Sequence, residues 1–146
     1  MTATRPLAPA VVLPTAVIAV LYLALVAYLT LGEVPWSTLT NEARWGVLSI
    51  RSWLEPETWT TGTMFEFTAN VLMFVPIGLL LRMALPRAGW STVLGIAVAI
   101  TVAIELAQIP LDRVSDPRDL VANSAGATIG VIIGAVVLAL RRPARR

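Results

Sequence analysis

Four apolar segments, each close to the length that crosses a bilayer, constrain this chain more than any other feature. They run from about residue 8 to 31, 67 to 85, 90 to 109 and 120 to 140. A helix needs about 20 apolar residues to cross a hydrocarbon core about 30 Å thick. Hydrophobic residues make up 57% of the chain and charged residues 14%, which is unlike a soluble domain. We therefore predict an all-α integral membrane protein that forms one domain, residues 1–146, with four transmembrane helices.

The first apolar segment has a competing interpretation as a signal peptide. The apolar core of a signal peptide is about 7 to 15 residues long, and this segment is longer. We expect it to remain as the first transmembrane helix.

Arginine residues indicate the orientation of the four helices. All eleven basic residues are Arg, and a cytoplasmic N-terminus places seven of them inside and four outside. The same choice leaves no acidic residue in a cytoplasmic segment. The positive-inside rule therefore predicts that both termini are cytoplasmic. The pI of about 9.9 follows from Arg residues at segment ends, so we expect no nucleic-acid partner.

The connection between the first two helices, residues 32–66, is rich in tryptophan. It holds four of the five Trp residues of the chain: Trp36, Trp45, Trp53 and Trp59. Amphipathic rings favour the headgroup layer, so we expect this outer connection to lie on the membrane. The stretch NEARWGVLSIRSWL follows a candidate cap at Thr40 or Asn41 and predicts a short interfacial helix.

The composition restricts the chemistry that is available. The chain has no Cys, His or Lys, which excludes disulfides, thiolate nucleophiles, His general bases and Cys/His zinc sites. Carboxylates, hydroxyls, amides and Arg remain. We predict no cofactor and assign no metal ligands.

Glu105 is the one acidic residue inside a predicted span. It precedes Pro110 by five residues, which places it about 7 Å below the end of the third helix. Gln108 and Thr101 share its helix face. An intramembrane carboxylate usually faces the bundle interior, where it forms an interhelical hydrogen bond, transfers a proton or contacts a ligand.

The start of the fourth helix combines acids with small residues. Asp116-Pro117-Arg118-Asp119 matches a helix start, with Asp at the N-cap and Pro at the first helical position, so capping alone accounts for both acids. Asn123 lies on the same face, within about 60° of them. Glycines at 126, 130 and 134 continue the stripe and predict that this face points into the bundle.

The second helix contributes Asn70 near its outer end and Pro76 at mid-length. Pro76 frees the carbonyl of Leu72, which produces a kink or supplies a hydrogen-bond acceptor. Asn70 alone is explained by an interhelical hydrogen bond. Polar residues from three helices nevertheless converge on one membrane face, which is typical of a site. The candidate residues are Asn70, Glu105, Gln108, Arg113, Asp116, Asp119 and Asn123.

Two patterns resemble the VanZ-like family of small bacterial membrane proteins. They are NVLMFVPIG at residues 70–78 and E-L-x-Q-(x)4-R-x-x-D-x-x-D-L-x-x-N-x-x-G-x-x-x-G at residues 105–130. The resemblance implies a bacterial cytoplasmic membrane protein with a role at the cell envelope and, in some members, lowered sensitivity to teicoplanin-type lipoglycopeptides. The matching positions are Asn70, Phe74, Pro76, Gly78, Glu105, Gln108, Arg113, Asp116, Asp119, Asn123, Gly126 and Gly130.

Three functions fit these residues. In the first, the outer face binds a membrane lipid, a lipid-linked wall precursor or a lipoglycopeptide, and Asp119→Asn weakens activity only modestly. In the second, the chain is a hydrolase or transferase in which Glu105 is the general base. Asp116 and Asp119 would then position Glu105 or hold Mg²⁺ or Ca²⁺ with Asn123. In the third, the chain is a transporter or a partner subunit, although it lacks a visible inverted repeat.

Overall fold

Four long helices dominate the structure, a computed structural model that describes residues 9–32, 45–111 and 115–141. The part of the chain that is described contains no strand, and each long helix is long and apolar enough to cross a membrane. The predicted four-helix membrane architecture is confirmed. The helices are α1 (Pro9–Leu31), α2 (Ile50–Leu54), α3 (Pro56–Thr60), α4 (Met64–Ala84), α5 (Trp90–Gln108) and α6 (Pro117–Leu140), with 3₁₀ turns at Gly46–Leu48 and Ile109–Leu111.

Capping residues set the start of α4 and α6. The Thr63 hydroxyl accepts a hydrogen bond from the Glu66 backbone N–H at 3.1 Å, and the Thr63 backbone N–H donates to the Glu66 carboxylate at 2.8 Å. This capping box begins α4 before residue 67, the start expected from hydropathy. Asp116 caps α6, as its sequence predicts, so α6 begins at Pro117 and not at residue 120.

The stretch NEARWGVLSIRSWL contains a short helix, α2, at its end, but the stretch is not one continuous helix in its described part. A 3₁₀ turn at Gly46–Leu48 and the short helices α2 and α3 occupy this region instead. Gly46 has a φ of 49°, a left-handed conformation that interrupts a regular helix. The proposed cap at Thr40 or Asn41 lies outside the described residues, as does Trp36.

Glycines bring α4 and α6 into direct backbone contact. A Cβ at Gly126 would overlap the carbonyl oxygen of Val71, and one at Gly130 would overlap the carbonyl oxygen of Val75. From the other side, a Cβ at Gly78 would overlap the carbonyl oxygen of Ala127. Small residues allow this approach, and the gain is van der Waals contact, because lipid tails are as apolar as the side chains. The prediction that the glycine stripe faces the bundle is confirmed.

A small apolar core joins α1 and α5 to α4. Val26, Phe74, Ile77 and Ile104 form its buried centre. The Tyr22 hydroxyl of α1 donates a hydrogen bond to the carbonyl oxygen of Met73 at 2.9 Å. This acceptor lies next to the carbonyl that Pro76 leaves free, and α4 remains one helix through Pro76.

The connection folds over one end of the bundle, where α1 and α5 end and α4 and α6 begin. We call this end of the four-helix bundle the polar end. The backbone N–H of Val47 donates to the Ser115 hydroxyl at 3.3 Å, and Gly46 leaves no room for a Cβ beside Ser115. The Trp53 indole N–H donates to the carbonyl of Val47 at 2.9 Å. Apolar side chains on the outside of the connection are exposed: Trp45, Leu48, Ile50, Leu54, Met64 and Phe65.

Candidate functional site

Glu105 lies in the last turn of α5 and is almost completely enclosed, with 1% of its surface exposed. Its Oε2 accepts a hydrogen bond from the backbone N–H of Asp116 at 3.2 Å. Its Oε1 lies 3.5 Å from Nδ2 of Asn123, at the limit of a hydrogen bond. The Ser115 hydroxyl is a further hydrogen-bonding neighbour. The carboxylate therefore faces the start of α6, and it is not turned outward to reach the headgroups.

Asp116 has the capping role that its sequence predicts. Its Oδ1 accepts a hydrogen bond from the backbone N–H of Arg118 at 2.8 Å. Burial raises the pKa of Asp116, while the Arg118 N–H and the Arg118 charge act in the opposite direction. Its backbone N–H is already directed at Glu105. Asp116 thus connects the start of α6 to the end of α5 through its main chain.

Asp119 and Asn70 join α6 to α4. Nδ2 of Asn70 donates to Oδ1 of Asp119 at 2.7 Å, and both residues are half-buried. The Asp119 carboxylate is close enough to Glu105 for the two charges to act on each other. A catalytic role is predicted from the sequence for Glu105 and Asp119, and Asp119 is the more exposed of the two.

Two amide oxygens at the polar end have no hydrogen-bond partner among residues 9–32, 45–111 and 115–141. Oδ1 of Asn123 and Oε1 of Gln108 are buried and unpaired, with only 3% and 8% of the respective residues exposed. Nε2 of Gln108 donates to the backbone carbonyl of Thr30 in α1 at 3.2 Å, so this residue also ties α5 to α1. Thr101, which shares the face of Glu105, bonds to the carbonyl of Ala97 in its own helix. Unpaired buried acceptors are costly, and they often mark a position where a donor binds.

Arg118 makes contacts with the outer connection that its position in the sequence did not predict. Its Nη1 donates to the carbonyl of Thr61 at 2.8 Å, and its Nη2 donates to the carbonyl of Thr63 at 2.9 Å. The guanidinium also lies 5.6 Å from the ring centroid of Phe67. Gly62, with a φ of 82°, provides the space, because a Cβ there would overlap the guanidinium. Arg118 therefore holds the connection to the start of α6.

The structure brings together five of the seven candidate residues around the start of α6: Asn70, Glu105, Asp116, Asp119 and Asn123. Gln108 is directed toward α1, and Arg113 lies outside the described residues. Ser115 was missed by sequence reasoning, since a serine before a capping residue carries no distinctive pattern. Among the described residues, no group of three or more His, Cys, Asp or Glu is arranged to hold a metal ion.

Comparison with known proteins gives a match to one family model. No curated protein and no solved structure shows a significant match to the chain. The family model VanZ/LLP1 matches residues 19–138, which include parts of all four long helices and every candidate site residue. The chain is thus a multi-pass membrane protein that belongs to the VanZ/LLP1 family.

Proposed function

We propose that the polar end of the bundle binds the headgroup of a membrane amphiphile at the bacterial cell envelope. A lipid-linked wall precursor or a teicoplanin-type lipoglycopeptide fits this description. The observation that carries the proposal is the enclosed carboxylate of Glu105, which is contacted by groups at the start of α6. Asn123, one of these contacts, has an amide oxygen that no described residue pairs with. A charged group is costly at this depth, so its retention points to a role beyond packing.

The surroundings of the site suit an amphiphilic ligand. The polar residues lie under a connection whose exposed surface includes Trp45, Leu48 and Phe65. Exposed aromatic and aliphatic side chains next to a polar cluster provide places for an acyl chain and for a headgroup. An extracytoplasmic polar end, which the Arg distribution predicts, would face wall precursors and antibiotics.

Antibiotic susceptibility tests the proposal. A susceptible bacterium would express the wild-type chain or the variant Glu105→Gln, and teicoplanin sensitivity would be measured together with the amount of protein in the membrane. Gln keeps an oxygen that can accept from Asp116 and removes the charge. We expect the wild type to protect and Glu105→Gln to lose most of that protection at normal abundance.

The matched control is Glu57→Gln, which makes the same chemical change at an exposed acid of the outer connection. It should protect as well as the wild type. Asp119→Asn keeps its hydrogen bond from Asn70 and should lose only part of the protection. Equal protection by wild type and Glu105→Gln would contradict the proposal.

An enzymatic role is the second candidate, and the same carboxylate favours it. Glu105 is enclosed and close to Asp119, an arrangement in which a carboxylate can serve as a general base in a hydrolase or transferase. Incubation of purified protein with a radiolabelled lipid-linked precursor separates the two functions. Product formation by the wild type but not by Glu105→Gln would identify an enzyme, whereas Glu105-dependent binding without product would identify a binding protein.

A further inference from the structure

Two buried amide oxygens at the polar end, in Asn123 and Gln108, lack a donor within the described part of the chain. Glu105 accepts from the Asp116 N–H, has the Ser115 hydroxyl as a further hydrogen-bonding neighbour and accepts only weakly from Asn123. The Oδ1 of Asn123 has no donor among the residues that the structure describes. At the half-buried edge of the cluster, Asn70 donates to one of the two carboxylate oxygens of Asp119. A buried acceptor requires a donor, so a hydrogen-bond donor is missing beside Asn123 within the described part of the chain.

The missing donor is also expected to be positively charged. Glu105, Asp116 and Asp119 have no ion-pair partner within 4.0 Å among the residues that the structure describes, where Arg51 and Glu55 form the single ion pair. Arg118 is the described cation near Asp116 and Asp119, but its two terminal nitrogens donate to the carbonyls of Thr61 and Thr63. The three acids are therefore left without a contacting cation from this part of the chain.

We propose that the polar end binds a primary ammonium group carried by a membrane amphiphile. Glu105, Oδ1 of Asn123 and Asp119 are its acceptors, and it enters from the Asp119 side. An ammonium offers three donors and no acceptor, which complements this set. A phosphate has only acceptor oxygens and would meet the like charge of the three acids. The inference rests on the proposed function and narrows it to one chemical class of headgroup.

Binding of simple amphiphiles to the purified full-length chain tests the inference. Four probes share a dodecyl chain: dodecylammonium, dodecyltrimethylammonium, dodecanol and dodecyl phosphate. Each would be titrated into the protein in dodecyl maltoside micelles at pH 7, and the shift of the thermal unfolding midpoint would give an apparent Kd. We expect dodecylammonium to bind the wild type more tightly than the other three probes do. We expect it to bind Glu105→Gln at least about tenfold less tightly than the wild type, since a charged hydrogen-bonded contact is lost.

Asp119→Asn and Glu57→Gln complete the experiment. Asp119→Asn should weaken dodecylammonium binding by a smaller factor, and it replaces Glu105→Gln if that variant does not fold. Glu57→Gln should bind like the wild type. The trimethylated probe keeps the charge but has no N–H donors, so we expect its shift to be small and independent of Glu105.

The outcomes separate this inference from the proposed function. Binding of dodecanol or dodecyl phosphate that equals that of dodecylammonium and depends on Glu105 would overturn the ammonium assignment and leave a headgroup site in place. Binding of the trimethylated probe that equals that of dodecylammonium would overturn the claim that the ammonium N–H groups donate hydrogen bonds to the site. If no probe binds in a Glu105-dependent way, the ammonium assignment fails, while Glu105-dependent protection against teicoplanin would still support the proposed function.

Discussion

Glu105 is positioned by contacts that come from outside its own helix. The Asp116 N–H and the Asn123 amide both belong to the start of α6, whereas Glu105 itself belongs to α5. A change in the relative position of the two helix ends would alter the environment of the carboxylate. The residue is therefore sensitive to the loop that joins α5 to α6.

Arg118 should stabilise the connection that covers the polar end. In Arg118→Gln, the carbonyls of Thr61 and Thr63 lose two charge-assisted hydrogen bonds, each of about 1.5–3 kcal/mol at most, and water replaces part of this. We expect faster amide hydrogen exchange around residues 61–67, while exchange in the centre of α4 stays unchanged. Hydrogen exchange followed by mass spectrometry measures both.

Arg51→Gln is the matched control for Arg118. Arg51 is fully exposed and pairs with Glu55 one helical turn away. Exposed pairs of this kind contribute little to stability. We expect no change in exchange at residues 61–67, and an equal effect of the two substitutions would show that Arg118 has no special role in holding the connection.

At the level of single residues, the sequence predicted local roles within one helix better than contacts between helices. The capping role of Asp116 and the inward direction of Asn123 follow from spacing along one helix, which is a local property. The pairing of Asn70 with Asp119, the turn of Gln108 toward α1 and the use of Arg118 by two carbonyls depend on neighbours distant in sequence. Residue patterns alone do not specify such partners.

At the level of elements, the contact between α4 and α6 is the most extensive between helices of the structure. It depends on glycines at positions where the opposite backbone is the nearest neighbour. A backbone atom cannot move aside as a flexible side chain does. Any added side-chain atom must therefore separate the two helices or distort one of them.

Gly130→Ala should destabilise the protein, because its Cβ would overlap the backbone of Val75 and Leu79. The cost of overpacking is about 1–3 kcal/mol. Unfolding by SDS titration in mixed micelles would measure it. Gly95→Ala in α5 is the control, since no described heavy atom outside the adjacent residues and the local helix backbone lies within 4 Å of the added Cβ.

Gly95→Ala should leave stability unchanged or raise it slightly, because Ala is the better helix former. A stability of Gly130→Ala equal to that of the control would mean that the two helices are not in the close contact described.

Helix boundaries were predicted less well than the helices themselves. Hydropathy located all four long helices, but the start of α4 was missed because the Thr63–Glu66 capping box lies in a polar stretch that hydropathy does not register.

At the level of the whole molecule, the orientation in the membrane decides which compartment the polar end faces. The chain has no Cys, so single cysteines can be introduced without removing native ones. In intact bacteria we expect Glu57→Cys to react with a membrane-impermeant maleimide and Arg87→Cys to react only after the membrane is opened. The reverse pattern would place the polar end in the cytoplasm and contradict the proposed contact with external antibiotics or wall precursors.

Four spans and an all-helical fold were predictable because bilayer thickness and backbone hydrogen bonding leave few alternatives. The fold of the connection was not. Its path depends on Gly46 meeting Ser115 and on Thr61 and Thr63 meeting Arg118. These contacts join segments more than fifty residues apart, and no sequence periodicity within the connection predicts them.

The glycine contact between α4 and α6 also has a mechanical consequence. Two helices that touch backbone to backbone resist being separated, so a widening of the polar end would require α5 or α1 to move relative to that pair. Glu105 belongs to α5 and Asn123 belongs to the pair, and they lie 3.5 Å apart. The separation of these two side chains would therefore increase with any displacement of α5 from the pair, and a ligand held by both would oppose that displacement.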